Sequence, residues 1–347
     1  MINLCCYDPI FYFRQMILVT GGTGLVGSHL LYHLLLENES VRAIYQKTSD
    51  LSAVKNVFSY YTPDFETIYK KIHWAEADLL DVPELAIAFK DISHVYHCAA
   101  FVSFNPSDYQ KMRKINIGGT CNIVNLCIEN SIKKLCFVSS VAAVEKNNNG
   151  LINEAEPWNN AAYKSGYAIT KYGAEIEVWR ASQEGVDVVI VNPGVILGSG
   201  FWHKGTGNLF SLINKGFKFY TDGVTGFVGV KDVVRIMCEL MQRDIKNERF
   251  ILVAENLSYK EVFFSIADSL NKKRPNIKVS KLLSEVLWRL DYIKSKLTRT
   301  EPVMTKQNAR SSQTKSLYSS SKIIAALDYK FEKTDTTIGR VGKEFKN

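Results

Sequence analysis

The chain has 347 residues, of which 46% are hydrophobic and 22% are charged, and its formal net charge at pH 7 is +8. This composition excludes a disordered or collagen-like chain, and the length allows one large core plus a smaller appended region. No apolar run approaches the roughly 20 residues of a membrane-spanning helix. The seven cysteines are scattered without paired CxxC motifs, which favours buried thiols in a cytoplasmic protein over disulfides or a metal site.

The first fifteen residues differ from the rest of the chain. They show neither helical nor alternating periodicity, and they lack the apolar stretch and cleavage site of a signal peptide. The first strand-like run starts at Met16. We therefore predict that residues 1–15 are an N-terminal extension outside the fold.

A glycine-rich turn, TGGTGLVG at 20–27, follows this apolar run and leads into an apolar helical pattern. A strand, a glycine turn and a helix in this order indicate a dinucleotide-binding site. The first glycine allows a tight turn, the next lets backbone approach a pyrophosphate, and the last lets the helix pack near the sheet. The helix N-terminus then faces the phosphates, so the predicted cofactor contacts here are Gly21, Gly24, Leu25, Val26 and Gly27.

Strand-like and helix-like segments alternate along the following chain. The predicted strands are 40–45, 72–77, 94–98, 134–139 and 186–191, and the predicted helices are 52–70 with a break at Pro63, 83–90, 107–130 and 162–184. This rhythm predicts an α/β fold with a Rossmann-type, doubly wound parallel sheet. We expect the dinucleotide-binding core over 16–194. Residues 195–347 are expected to form mainly a smaller substrate-binding and helical region, with some segments returning to the core.

A tyrosine and a lysine mark one predicted helix. Tyr167 and Lys171 are spaced i, i+4, which places them on one helix face. An ammonium near a phenol lowers the phenol pKa from about 10 toward working pH, which suits proton transfer to or from a carbonyl oxygen. Upstream, an apolar strand ends in Ser139 and Ser140, whose hydroxyls can hydrogen-bond the same oxygen.

These segments resemble the extended short-chain dehydrogenase/reductase superfamily. Within it the chain is most similar to the NAD-dependent epimerase/dehydratase group that includes dihydroflavonol-4-reductase-like and 3β-hydroxysteroid-dehydrogenase-like proteins. The resemblance runs from about Met16 to the C-terminal region and rests on TGGTGLVG at 20–27, Asp78-Leu79, HCAA at 97–100, Asn116 in INIGGT, FVSSVAAV at 137–144, YAITK at 167–171 and Asn192-Pro193-Gly194. It implies a nicotinamide cofactor and hydride transfer to or from a carbon–oxygen centre.

The resemblance also implies roles for particular residues. Tyr167 would be the general acid/base, Lys171 would tune it and bind the ribose, and a serine would orient the carbonyl. Alignment on Val144 favours Ser140, whereas the sugar-epimerase pattern would place the hydroxyl at Val141, which has none. A nucleotide-sugar epimerase or dehydratase is therefore the alternative enzyme. A non-catalytic NAD(P)-binding regulator is disfavoured because the tyrosine–lysine pair is retained.

The end of the second strand bears on the choice of cofactor. NAD enzymes usually place an acidic residue about 20 positions after the glycine motif, but here Gln46 and Lys47 follow the strand and the first acid is Asp50. We therefore expect NADP(H), with Lys47 facing the 2′-phosphate and Gln46 nearby, and keep NAD(H) as the alternative. In addition to Tyr167 and Lys171, the resemblance implies cofactor contacts at Asp78, Leu79, Ala99, Ala100, Pro193 and Gly194.

The region expected to bind the substrate contains many aromatic residues. Residues 195–229 mix glycines and aromatics with few charges. The aromatic residues Phe101, Phe104, Trp202 and Phe210 predict a small-molecule substrate that is apolar or ring-bearing. The alternative interpretation is that these side chains pack in the protein core.

Basic charge is concentrated late in the chain. From Asn271 onward there are 18 Lys and Arg against 7 Asp and Glu, and residues 282–297 have the pattern of an amphipathic helix. A solvated surface is the favoured interpretation, and peripheral contact with an anionic membrane is the alternative. No nucleic-acid-reading motif is present, and we expect a monomer or a homodimer.

Overall fold

The computed structural model describes residues 16–145, 150–159, 164–298 and 305–346. The predicted extension 1–15 lies outside the described residues, and so do the first two residues of the predicted helix 162–184.

Seven strands form one central sheet, in which all the pairings are parallel. They are β1 (Met16–Thr20), β2 (Val41–Tyr45), β3 (Ile72–Glu76), β4 (Ile92–His97), β5 (Lys134–Val138), β6 (Asp187–Pro193) and β10 (Glu248–Leu252). A second sheet contains β7 (Val195–Leu197), β9 (Val224–Gly229) and β11 (Glu255–Ser258). A third sheet pairs β8 (Phe219–Tyr220) with β12 (Ile277–Lys278).

Helices cover both faces of the central sheet and build the C-terminal part. Before β6 they are α1 (Leu25–Glu37), α2 (Leu51–Ser59), α3 (Phe65–Tyr69), α4 (Val82–Ala88), α5 (Tyr109–Met112), α6 (Gly119–Glu129) and α7 (Gly166–Gln183). After β6 they are α8 (Gly207–Asn214), α9 (Val230–Gln242), α10 (Tyr259–Ser269), α11 (Lys281–Thr298), α12 (Lys306–Ser311), α13 (Ser321–Leu327) and α14 (Thr334–Lys346). Within the described residues, no helix is long and apolar enough to cross a membrane.

The strand order is β10-β6-β5-β4-β1-β2-β3. From β1 the chain winds to one side through β2 and β3, then crosses back to β4 on the other side. The predicted doubly wound parallel sheet is therefore confirmed. This reversal opens a crevice at the carboxyl ends of β1 and β4, where such sheets bind their ligands.

Apolar residues on neighbouring positions of one strand point to opposite faces of the sheet. Leu18 and Val19 are both fully buried, but Leu18 belongs to a core cluster with residues of α6 and α7, and Val19 belongs to one with residues of α1 and α9. Burial on both faces explains why the strands read as continuous apolar runs.

The long helix predicted over 107–130 is confirmed, since the backbone is helical without a break from Tyr109 to Glu129, but it is not a regular α-helix throughout. The chain forms α5, then a wider π-helical turn over Arg113–Gly118, then α6. Asn116 lies in the wide turn, where its Oδ1 accepts from Phe101 N at 2.8 Å and its Nδ2 donates to Phe101 O and Thr170 Oγ1. These long-range hydrogen bonds stabilise the extra residue in the turn, and such turns are frequent at functional sites.

Candidate active site

The predicted site residues come to one edge of the central sheet. They follow the carboxyl ends of β1 to β6 in turn, and parallel strands bring those ends together. The residues at this edge are Gly21, Gly24, Leu25, Val26 and Gly27 after β1, Gln46 and Lys47 after β2, Asp78 and Leu79 after β3, Ala99 and Ala100 after β4, Ser140 after β5, and Pro193 and Gly194 at the end of β6.

The turn between β1 and α1 is too tight for side chains at two positions. Gly21 has φ +68°, and a Cβ built there would lie 2.6 Å from Ala99 N. A Cβ at Gly27 would lie 2.2 Å from Gly21 O. At Gly24, in contrast, the nearest atom to such a Cβ is Gly21 O at 3.4 Å. The turn thus folds closely onto the start of α1 and onto the loop after β4.

The N-terminus of α1 is free to bind an anion. Its N-cap, Gly24, supplies no side-chain hydrogen bond, and no acidic residue lies in the first turn. The first N–H groups of a helix have no partner within the helix and sit at the positive end of its dipole. A diphosphate fits this arrangement, so the glycine turn with Leu25 and Val26 suits the pyrophosphate of a dinucleotide.

Buried His97 connects the elements beneath this turn. Thr120 Oγ1 donates to Asn116 O at 2.6 Å, so it accepts from His97 Nε2 at 2.9 Å. His97 Nδ1 then accepts from Thr20 Oγ1 at 2.6 Å, and Thr20 Oγ1 accepts from Ala99 N. Burial lowers the pKa of His97 to about 3. A neutral ring with its proton on Nε2 therefore joins the ends of β1 and β4 to α6.

The residues after β2 and β3 bond to one another. Gln46 Nε2 donates to Asp78 Oδ2 at 2.7 Å, and Asp78 Oδ1 accepts from Leu80 N. Asp50, the first acid after β2, is the N-cap of α2 and accepts from Ser52 N at 2.9 Å and Ser52 Oγ at 2.6 Å. These hydrogen bonds lower the pKa of Asp50. Asp50 Oδ1 therefore caps α2.

Lys47 lies in a turn next to the glycine turn. Ser49 Oγ accepts from Gln46 N at 3.0 Å, and Thr23 Oγ1 donates to Ser49 Oγ at 3.4 Å. Lys47 is exposed between these residues, whereas Arg42 Nη1 donates to backbone carbonyls away from this turn. The Lys47 ammonium and the hydroxyls of Thr23 and Ser49 thus lie close to the end of β2.

The structure brings Ser140 and Tyr167 together. Ser165 caps α7 by accepting from Ala168 N at 3.0 Å, which places Tyr167 in the first turn. Burial raises the pKa of Tyr167, and the neighbouring Ser140 hydroxyl partly offsets this. The lowered pKa that the Tyr167–Lys171 spacing predicts is therefore wrong, because burial of the phenol outweighs it. The Phe104 ring meets the Tyr167 ring edge-on, with centroids 5.9 Å apart. At neutral pH the phenol is therefore protonated and adjacent to a hydroxyl and an apolar ring.

Lys171 lies one helical turn further along α7 and is almost fully buried. Its Nζ donates to Val138 O at 2.7 Å and lies 4.3 Å from the centroid of the Phe137 ring. Burial lowers the pKa of Lys171 to about 8, with Glu175 acting in the opposite direction. The side chain therefore remains an ammonium at neutral pH, held at the carboxyl end of β5.

The sequence did not reveal a buried cluster of polar side chains that contacts the end of β5 and contains Glu175, Asn192 and Arg249. Glu175 Oε1 accepts from Asn192 Nδ2 at 2.6 Å, and Asn192 Nδ2 also donates to Ser140 O at 3.0 Å. Arg249 Nη1, from β10, lies 3.5 Å from Glu175 Oε2. The four-residue spacing that singles out Lys171 continues to Glu175 and was a usable signal. No local signal identifies Arg249.

The predicted substrate rings have different environments. Phe210 is fully buried in a core cluster, and the Trp202 ring packs within 6.2 Å of it. Lys111 Nζ lies 4.4 Å from the centroid of the Phe101 ring. Phe104 is 39% exposed and contacts Tyr167, so of these four it is the ring placed at the catalytic candidates. No group of three or more His, Cys, Asp or Glu side chains suited to a metal occurs among the described residues.

Fold and site define a Rossmann-type protein with a glycine-rich turn at the sheet edge that also holds a serine–tyrosine pair. Residues 17–253 match the NAD dependent epimerase/dehydratase family, and the chain belongs to that family. The resemblance found in the sequence is thereby confirmed.

Relatives and solved structures agree with this assignment. The chain is 27% identical over 266 residues to sterol demethylase protein B of Methylococcus capsulatus, covering 76% of each. It is 29% identical over 254 residues to a putative dihydroflavonol 4-reductase of Synechocystis, covering 70% of this chain and 69% of that one. The crystal structure of gox2253 matches with a TM-score of 0.79 and 25% identity, and the match covers 96% of this chain and 98% of that one. Thermotoga maritima UDP-glucose 4-epimerase, at 18% identity and a TM-score of 0.75, shows the shared fold.

Proposed function

We propose that the protein is an NADPH-dependent reductase of ketones or aldehydes carried by apolar or ring-bearing molecules, with Ser140, Tyr167 and Lys171 as catalytic residues. The observation that carries this is the placement of Tyr167 beside Ser140 at the sheet edge that holds the glycine turn. Relatives named dihydroflavonol 4-reductase, anthocyanidin reductase and cinnamoyl-CoA reductase support the reaction class.

The three side chains divide the chemistry of reduction. The nicotinamide, when bound in the glycine cradle, supplies the hydride. Ser140 donates a hydrogen bond to the carbonyl oxygen, and Tyr167 transfers its phenolic proton to that oxygen as negative charge develops there. The Lys171 ammonium stabilises the phenolate that remains. At neutral pH the Tyr167 phenol is protonated, which is the state that a general acid requires.

The environment of the site supports an apolar substrate and disfavours an epimerase. Phe104 stands half-exposed against Tyr167, so a ring can pack there while its carbonyl meets the two hydroxyls. Val141, where the epimerase pattern would place a hydroxyl, is buried in an apolar cluster with Val144 and Ile152.

A substrate panel tests this function. We expect NADPH oxidation with ring-bearing ketones or aldehydes, such as dihydroflavonols, enals and steroid ketones, and none with UDP-glucose or dTDP-glucose. Nicotinamide absorbance measures the turnover, and chromatography of the nucleotide sugars detects isomers or dehydrated products. Conversion of a nucleotide sugar without net NADPH oxidation would overturn the proposal in favour of an epimerase or dehydratase.

Cofactor selectivity is a separate prediction. Lys47→Ala should weaken NADPH binding about tenfold and leave NADH binding unchanged, because the lost charge-assisted hydrogen bond meets only the 2′-phosphate. The loss should shrink as ionic strength rises, since Lys47 is exposed. Fluorescence titration of both cofactors measures it.

Lys70→Ala is the matched control, because Lys70 is also exposed but precedes β3 at the opposite edge of the sheet. Equal weakening of NADPH and NADH by Lys47→Ala, or a wild-type preference for NADH, would contradict the assignment of the β2 turn. Gln46→Asp tests the cofactor selectivity less directly, because it also removes the hydrogen bond from the Gln46 side-chain amide to the Asp78 carboxylate.

A further inference from the structure

Helix α11 has its apolar side turned outward. Ser284 and Ser295 are buried against the protein. On the opposite side Leu282, Val286 and Leu290, spaced four residues apart, are 82%, 52% and 58% exposed. A surface helix of a globular protein normally turns such a stripe toward the core. The stripe therefore lacks a partner among the described residues.

Positive charge surrounds this stripe. Residues 271–310 contain eleven Lys and Arg against three Asp and Glu, so this one segment has a net charge of +8, as large as that of the whole chain. Its described and exposed basic side chains include Lys281, Arg289, Lys306 and Arg310. Arg289 also pairs with Glu285 one turn earlier. The remaining chain is close to neutral, so any anionic surface would meet the protein here.

We propose that α11 lies on an anionic lipid surface, with its leucine and valine side chains in the boundary of the acyl chains and its basic residues among the headgroups. A helix with an apolar stripe and a basic polar face is suited to the plane of a membrane interface, and anionic headgroups attract the lysines and arginines around it. A second copy of the chain fits less well, because a symmetric contact would bring two segments of charge +8 together.

The chain that follows α11 and α12 leads to the candidate active site. Tyr318 packs with Val141 and Val144, which come directly after Ser140, and it forms a bridge with Ile152. The docking surface itself does not depend on the proposed reductase activity.

Vesicle flotation of the full-length protein tests the proposal. We expect wild type to float with vesicles of phosphatidylcholine and phosphatidylglycerol, to bind pure phosphatidylcholine weakly, and to be released as salt is raised. Leu282→Gln combined with Leu290→Gln should weaken binding to the anionic vesicles by about tenfold or more, because both exposed apolar side chains are lost from the interface. Lys281→Gln combined with Lys306→Gln should reduce binding to the anionic vesicles only.

The matched control combines Leu36→Gln with Ile87→Gln, which removes leucine and isoleucine side chains of 58% and 64% exposure on α1 and α4. This variant should float as wild type does, and thermal melts should show that all variants are folded. Turnover of a water-soluble ketone without vesicles should be the same in wild type and the Leu282/Leu290 variant.

Three results would overturn the proposal. One is absence of wild-type binding to the anionic vesicles, and another is unchanged binding by the Leu282/Leu290 variant. The third is a concentration-dependent dimer in sedimentation velocity that the two leucine substitutions abolish, which would assign the stripe to a second copy of the chain. If wild type and all variants lack reductase activity but wild type still binds the anionic vesicles, only the proposed function is rejected and the docking surface stands.

Discussion

Tyr167→Phe is expected to lower kcat by about 10²–10⁴-fold while NADPH affinity stays near that of wild type. The substitution keeps the ring against Phe104 but removes the proton that general acid catalysis transfers. Steady-state turnover of a ketone found in the substrate panel gives kcat, and fluorescence titration gives the cofactor affinity.

Tyr172→Phe is the control for this change. Tyr172 lies on the same helix, and its ring stacks on Trp158 with centroids 4.0 Å apart, away from Ser140. This variant should turn over normally. Wild-type turnover by Tyr167→Phe would remove Tyr167 from the mechanism, and equal losses in both variants would indicate a general effect on α7.

Gly27→Ala is expected to weaken NADPH binding about 100-fold or more. Its Cβ would lie 2.2 Å from Gly21 O and 2.9 Å from Gly22 Cα, so the turn must move away from α1. Hydrogen bonds to charged groups contribute about 1.5–3 kcal/mol each, so displacing two phosphate contacts accounts for such a loss. Crowding should also lower the free energy of unfolding by about 1–3 kcal/mol. Cofactor titration and denaturant unfolding measure the two effects.

Gly339→Ala is the matched control, since a Cβ at this helical glycine of α14 meets no atom within 4 Å. It should bind NADPH normally and be stabilised by about 0.5–1 kcal/mol, because alanine favours the helix. Wild-type cofactor affinity in Gly27→Ala would show that the glycine turn is not the nucleotide cradle.

Local signals were enough for much of the fold and for part of the candidate site. The glycine turn, the apolar strands and the four-residue spacing of Tyr167 and Lys171 each lie within a few turns of chain, and each predicts one element or one face. Parallel strands then bring the ends of those elements to one edge, so the sequence could predict which residues meet there.

Features stabilised by distant partners could not be predicted in this way. The wide turn around Asn116 depends on Phe101 and Thr170, which come from other elements. The ion pair of Glu175 with Arg249 joins α7 to a strand far along the chain. Neither contact leaves a periodic pattern in the local sequence.

Ring-bearing residues show the same limit of sequence patterns. Phe104 and Phe210 both fitted a substrate-lining role, because an apolar ring has the same composition signal in a core and in a binding site. The tertiary fold separates them by placing Phe210 among other buried rings and Phe104 against Tyr167.

The position of β10 has a consequence for the order of folding. This strand is made after β7, β8, β9 and α9, yet it is the strand that pairs with β6 in the central sheet. Until it arrives, β6 presents an unpaired apolar edge, which is a hazard for aggregation during synthesis. Non-local pairing of this kind also slows folding. The central sheet is therefore completed only after residues 195–247 have been made, and Arg249 reaches Glu175 in the same step.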